Sequence, residues 1–206
     1  MRIAPRRIIV ATESNQVEAL NESTGQLVWQ ASAGTPVPSS ELPCGDISPT
    51  VGITSTPVID PATDRVFVVA DTRNGSSIQH KLYAFNVSNG SAAAGYPVDV
   101  EPPGDVPADQ LQRPGLALDN GQIIIGYGGN DGDCATDDWL VAAPEAGGSL
   151  RTFEDDTIAT NGEGAIWGSG TARRSIPRVM SGSRPATATP VRPSTTRSRS
   201  SSSTRA

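Results

Sequence analysis

Three pairs of short β-rich runs recur along the chain at nearly constant spacing. That recurrence limits the fold more than any single motif. RIIVAT (7–12), RVFVVAD (65–71) and QIIIGYG (122–128) have cores starting at Ile8, Val66 and Ile123, 58 and 57 residues apart. A second run follows each of them: VEALN (17–21), LYAFN (82–86) and LVAAP (140–144), with starts 65 and 58 apart. From core start to second-run start the distance grows from 9 residues to 16 and 17, so loops are expected to absorb the difference.

Further strands flank these pairs. TPVID (56–60) leads through PATD into the second unit, and PGLAL (114–118) leads through DNG into the third. Asn120-Gly121 is a strong hairpin signal, because both residues tolerate positive φ. After each second run comes a turn (ESTG, VSNG, EAGG), and in the first unit a fourth run, QLVWQ (26–30). Four short antiparallel strands per unit of about 57–65 residues predict the blade of a β-propeller. A β-sandwich could use the same strands, but the repeated order speaks against it.

The run Ala19-Leu-Asn21-Glu-Ser-Thr24-Gly25-Gln-Leu-Val-Trp29 closely resembles the repeat of the quinoprotein-like (pyrroloquinoline-quinone-repeat) β-propellers. In that repeat Ala19, Thr24, Gly25, Trp29 and, in the second unit, Gly90 would be structural. Gly25 would sit at the tight turn and Trp29 would pack on the neighbouring blade. GAIWGSG (164–170), with Trp167, resembles the opening of a further blade. Ala94 and Thr152 stand where Trp29 falls in the first unit, so one repeat of three is intact. Quinone-binding members are also similar to one another in adjacent cysteines, a calcium-binding acidic set and a catalytic Asp. Adjacent cysteines do not occur here. The expected fold is therefore all-β: an incomplete propeller of about two and a half blades over residues 1–172. The blades fall at about 7–30, 53–98 and 112–153, with the next starting at 164. Closed propellers need four to eight blades, so the chain reads as a fragment of a longer protein.

Charge is divided unevenly. Residues 1–172 hold all 22 acidic residues and 8 basic ones, whereas residues 173–206 hold eight Arg and no acid. The acidic part disfavours nucleic acid and anionic membranes. No apolar run approaches 18 residues, so membrane insertion is not expected. IIVA is too short for a signal-peptide core. The Arg/Ser/Pro/Thr tail reads as disordered. It has three explanations: a nucleic-acid arm, an inert tail, or a shifted reading frame. With free third bases, residues 174–190 can be re-read as PFDPAGDVWVATGNGNS, which parallels PVIDPATDRVFVVADTRNG at 57–75. The frameshift reading is preferred.

Cys44 (ELPCGD) and Cys134 (DGDC) lie in loops and either form a disulfide or stay free. The acidic loop GGNDGDCATDD, with Asp131, Asp133, Asp137 and Asp138, could offer oxygen ligands to calcium, but it lacks EF-hand spacing and reads as solvated. His80, the single histidine, follows a Gly/Ser-rich stretch and reads as a loop residue without a catalytic partner. Four Asn-x-Ser sequons (Asn21, Asn74, Asn86, Asn89) are better explained by turn chemistry. Trp29, Trp139 and Trp167 are expected in inter-blade seams.

The leading expectation is a non-catalytic binding or scaffolding segment of an exported propeller protein, with Cys44 joined to Cys134 across adjacent blades. Any partner would be a protein or small molecule at a propeller face. The alternative is a fragment of a quinone-dependent dehydrogenase. No cofactor is expected in this segment. Pyrroloquinoline quinone and calcium would enter only if other blades supplied the site.

Overall fold

The computed structural model describes residues 6–130, 134, 136–156 and 166. All of them fall in one compact unit, Met1–Ser175. The elements are β1 (Arg7–Ala11), β2 (Gln16–Asn21), β3 (Leu27–Ser32), β4 (Val37–Pro38), a 3-10 turn (Ser39–Glu41), β5 (Thr50–Val51), β6 (Val58–Asp60), β7 (Arg65–Asn74), β8 (Ser77–Asn86), β9 (Val98–Asp99), β10 (Gln110–Leu111), β11 (Ala117–Asp119), β12 (Gln122–Gly129), β13 (Asp138–Pro144) and β14 (Arg151–Asp156). Among the described residues no helix is long and apolar enough to cross a membrane.

The strands form three main antiparallel sheets. The first is β1-β2-β3, and the second is β6-β7-β8-β9. In the third, β12 takes β10 and β11 on one side and continues through β13 to β14. A small β4-β5 ribbon lies in the connection between the first two sheets.

Period-2 alternation gives each sheet two usable faces. One face of sheet 1 carries Ile9, Val17, Ala19, Trp29 and Ala31. It packs on Val66, Val68 and Phe85 of sheet 2. The opposite face of sheet 2 carries Phe67, Val69, Leu82 and Ala84. It packs on Ile123, Ile125, Tyr127 and Val141 of sheet 3. The order is regular: the Ile9/Phe67 type of face always meets the Val66/Ile123 type of the next sheet. On the far face of sheet 3, Ile166 lies over Gly126, where a Cβ would come within 3.2 Å of its Cγ2. Sheets stacked in one sense, with both faces used, are the architecture of an all-β propeller segment.

The expectation that loops absorb the growing distance within each unit fails in the second unit. There the extra residues lengthen the strands: β7 and β8 each run 10 residues. They pair without interruption from Arg65↔Asn86 to Asn74↔Ser77. Only Gly75 and Ser76 lie between the last partners, and Gly75 takes φ 63. In the third unit Asn120 and Gly121 take φ 47 and 71, and the hairpin closes at Asp119↔Gln122. The tail 173–206, the frameshift reading placed on it and the blade opening at 164 lie outside the described residues, apart from Ile166.

Candidate functional site

The long β7–β8 hairpin places Asp71 directly opposite His80. His80 is therefore no loop residue, as the sequence reading had it, but a mid-strand residue with no exposed surface. Its Nε2 lies 3.0 Å from Asp71 Oδ1, close enough for an ion pair although off the ideal hydrogen-bond direction. Its Nδ1 lies 3.0 Å from Glu101 Oε2. The backbone N–H of His80 donates to the other Glu101 oxygen. β9 brings Glu101 there: Leu82 pairs with Val98, and Val100 N–H donates to His80 O at 3.2 Å.

His80 and Asp71 are buried, whereas the Glu101 side chain keeps 26% of its surface exposed. Tyr127 of sheet 3 sets its ring edge-to-face on the imidazole, centroids 5.2 Å apart, and its hydroxyl donates to Val100 O at 2.9 Å. From sheet 1, Asn15 Nδ2 donates to Asp71 O at 2.8 Å, and Asp71 N–H donates to Gly52 O at 3.0 Å. Burial alone would pull the His80 pKa down, but the two carboxylates outweigh it and hold the imidazolium up to about 10. Burial also pushes the Tyr127 phenol well up. Glu13 is raised by burial, against the pull of hydrogen bonds from Gly52 N–H and the Thr54 hydroxyl to its Oε2. A histidine kept cationic and enclosed is an internal electrostatic pin joining three sheets. It is not a base available to a substrate.

The second polar centre is the corner holding Cys44 and Cys134. They are joined in a disulfide with Cα atoms 5.9 Å apart. Asn130 Nδ2 donates to Cys44 O at 3.1 Å, and Asn130 N–H donates to Asp109 O at 3.0 Å. Nearby, Asp105 is raised to about 6, first by burial and then by the Asp137 charge. Gln110 Nε2 donates to its Oδ2. Among the described residues one group of three could approach a cation together: Cys44, Asp109 and Cys134. With the two sulfurs bonded to each other, one carboxylate remains, which does not fit calcium's shell of six to eight oxygens. Asp131 and Asp133 lie outside the described residues.

The repeat residues occupy turns and seams. Ala19 is fully buried. Thr24 is exposed, and its Oγ1 accepts from Gln26 N–H at 3.3 Å. Gly25 takes φ 68, and its N–H donates to Asn21 O at 2.8 Å. Gly90 repeats that turn with φ 75 and donates to Asn86 O at 2.8 Å. Trp29 Nε1 donates to Val87 O at 2.9 Å, and its ring lies on Gly90, where a Cβ would meet Cε3 at 2.6 Å. Trp139 is buried in the core between sheets 2 and 3. Trp167 lies outside the described residues.

Gly90 therefore answers two demands at once, positive φ and room for the indole. Gly90→Ala is expected to lower stability by about 2–3 kcal/mol, as left-handed strain adds to a clash. Gly75→Ala meets open space at φ 63. It should cost about 1 kcal/mol. Urea midpoints of the two variants, measured together, check the difference.

No protein-family model and no curated protein matches the sequence. Solved structures do. Quinohemoprotein alcohol dehydrogenase from Comamonas testosteroni superposes with a TM-score of 0.52 at 14% identity, over 72% of this chain and 19% of that one. Quinohemoprotein alcohol dehydrogenase ADHIIG from Pseudomonas putida HK5 gives 0.51 at 17% identity, over 74% of this chain and 19% of that one. At this identity the likeness is one of fold, and the chain spans about a fifth of the length of these proteins. It carries the β-propeller fold.

Proposed function

We propose that the chain is a non-catalytic binding or scaffolding segment of an exported β-propeller protein. One observation carries this reading. The imidazole of His80 is spent internally, with Asp71 and Glu101 on its two ring nitrogens and no surface open to a substrate. The Cys44–Cys134 bond supports export, because disulfides persist in oxidising compartments. A propeller of this kind would offer its loop-rich faces to a protein or small-molecule partner.

A second reading is favoured by the fold. Quinohemoprotein alcohol dehydrogenases share it, so the chain would be a structural segment of such an enzyme. The quinone and calcium ligands would then come from other blades.

One experiment separates the two. The longer protein containing this segment is mixed with pyrroloquinoline quinone and calcium. Quinone binding is followed by absorbance and dye reduction is assayed with alcohols and sugars. The scaffold reading expects neither signal. Stoichiometric quinone binding with dye reduction would replace it by the enzyme reading.

A further inference from the structure

Three segments far apart in sequence converge at the Cys44–Cys134 corner. Cys44 follows the 3-10 turn, Asp109 stands just before β10, and Cys134 lies in the connection from β12 to β13. Among the described residues, the two sulfurs and a carboxylate oxygen of Asp109 lie within 4.8 Å of one another.

Contacts other than the sulfur–sulfur bond hold two of these segments together. Asn130, 1% exposed, brackets them: Nδ2 donates to Cys44 O at 3.1 Å, and its N–H donates to Asp109 O at 3.0 Å. Its amide rests on Gly45, where an added Cβ would lie 2.3 Å from Oδ1. That Oδ1 is buried and has no hydrogen-bond partner, so a polar atom beside the Cys44 backbone stays unsatisfied while the disulfide is closed. Opening the bond leaves the Asn130 bracket in place, and the three ligand atoms remain neighbours.

The corner is also anionic. The charges of Asp137, Glu154 and Asp109 all act on Asp105 and help to raise it. Two thiolates and a carboxylate suit zinc, whereas calcium takes oxygen alone. Zinc holds sulfur at about 2.3 Å and oxygen at about 2.0–2.2 Å, which sets tetrahedral neighbours roughly 3.5–3.8 Å apart. Rotation of the two cysteine side chains is enough to reach that spacing, and water takes the fourth position.

We propose that the thiol form of this corner is a zinc site, with Cys44, Cys134 and Asp109 as ligands, and that zinc and the disulfide are alternative closures of the same loop. The exchange balances with a dithiol as reductant. One of its thiolates attacks a sulfur of the bond, its second thiol resolves the mixed disulfide, and the donor leaves as its own disulfide. Two electrons and two protons pass to Cys44 and Cys134. Zinc then displaces the two protons to solvent.

The test uses the full chain, reduced with a water-soluble phosphine that leaves as its oxide, and desalted without air. Cobalt(II) serves as the spectroscopic probe and zinc as the competitor. One cobalt per chain is expected, with a thiolate-to-cobalt charge-transfer band and tetrahedral d–d bands that zinc abolishes. The oxidised chain and the Cys44→Ser/Cys134→Ser chain should show neither band. Asp109→Asn should weaken cobalt binding about a hundredfold, the upper end of what losing even an outer-shell partner costs. A second readout separates the folded site from loose thiols. Zinc should raise the urea midpoint of the reduced chain, or restore its circular dichroism if reduction unfolds it, and Asp109→Asn should remove most of that gain. The proposal is overturned if reduced chain gives no charge-transfer band, if Asp109→Asn binds cobalt as tightly as the parent, or if zinc neither raises the midpoint nor restores the fold.

Discussion

His80→Leu is expected to destabilise the protein by about 3–5 kcal/mol, because it leaves the Asp71 carboxylate buried and uncompensated. Asp71 is only 4% exposed, and Tyr127 packs edge-to-face on the imidazole that faces its carboxylate. Adding Asp71→Asn to His80→Leu should recover part of the loss, since the second change removes the stranded charge. Urea unfolding of both single variants and the double variant measures the coupling. Additive costs would mean that the pair does not act as a unit. The same cluster predicts a pH profile. The folded-state pKa of about 10 lies above the ordinary 6.5. Its contribution is therefore complete below about pH 6.5 and is lost as pH rises towards 10. His80→Leu should flatten that alkaline decline, while the wild-type chain loses stability across the window.

Opening the Cys44–Cys134 bond should cost about 4 kcal/mol, because it releases a loop closed across 90 residues. That loop contains the whole of sheet 2, from β6 to β9. Its release enlarges the unfolded ensemble without touching either core. Unfolding midpoints with and without reductant, and for Cys44→Ser with Cys134→Ser, read the effect. Equal midpoints would show that the bond adds nothing to the fold. A reductant shift that persists in the double serine variant would assign the effect elsewhere.

The repeat was legible in the sequence because it is local. Alternating apolar residues and turn glycines state strand and turn within a few positions. Asn120-Gly121 announced its hairpin, and ALNESTG announced a turn whose Asn21 Oδ1 accepts from the Ser23 and Thr24 N–H groups. The His80 cluster was illegible because its members meet through register. Asp71 lies nine residues from His80, and Glu101 lies 21 away. One signal could have joined the first two. Gly75-Ser76 between polar and β-branched residues is a two-residue hairpin turn. Counting outward from it places Asp71 opposite His80. The disulfide remained one of two options for the same reason. Its cysteines stand in two irregular loops, and only the stacking of the sheets brings them together.

The stacking sense has a consequence for how such a chain can grow. Each sheet offers one kind of face forwards and the other backwards, as Phe67 and Val66 do on adjacent positions of β7. A duplicated unit inserted between two sheets would meet familiar surfaces on both sides. It would need no new complementarity to be invented. Lengthening by whole units is then a small step, whereas a partial unit leaves one seam without its mate.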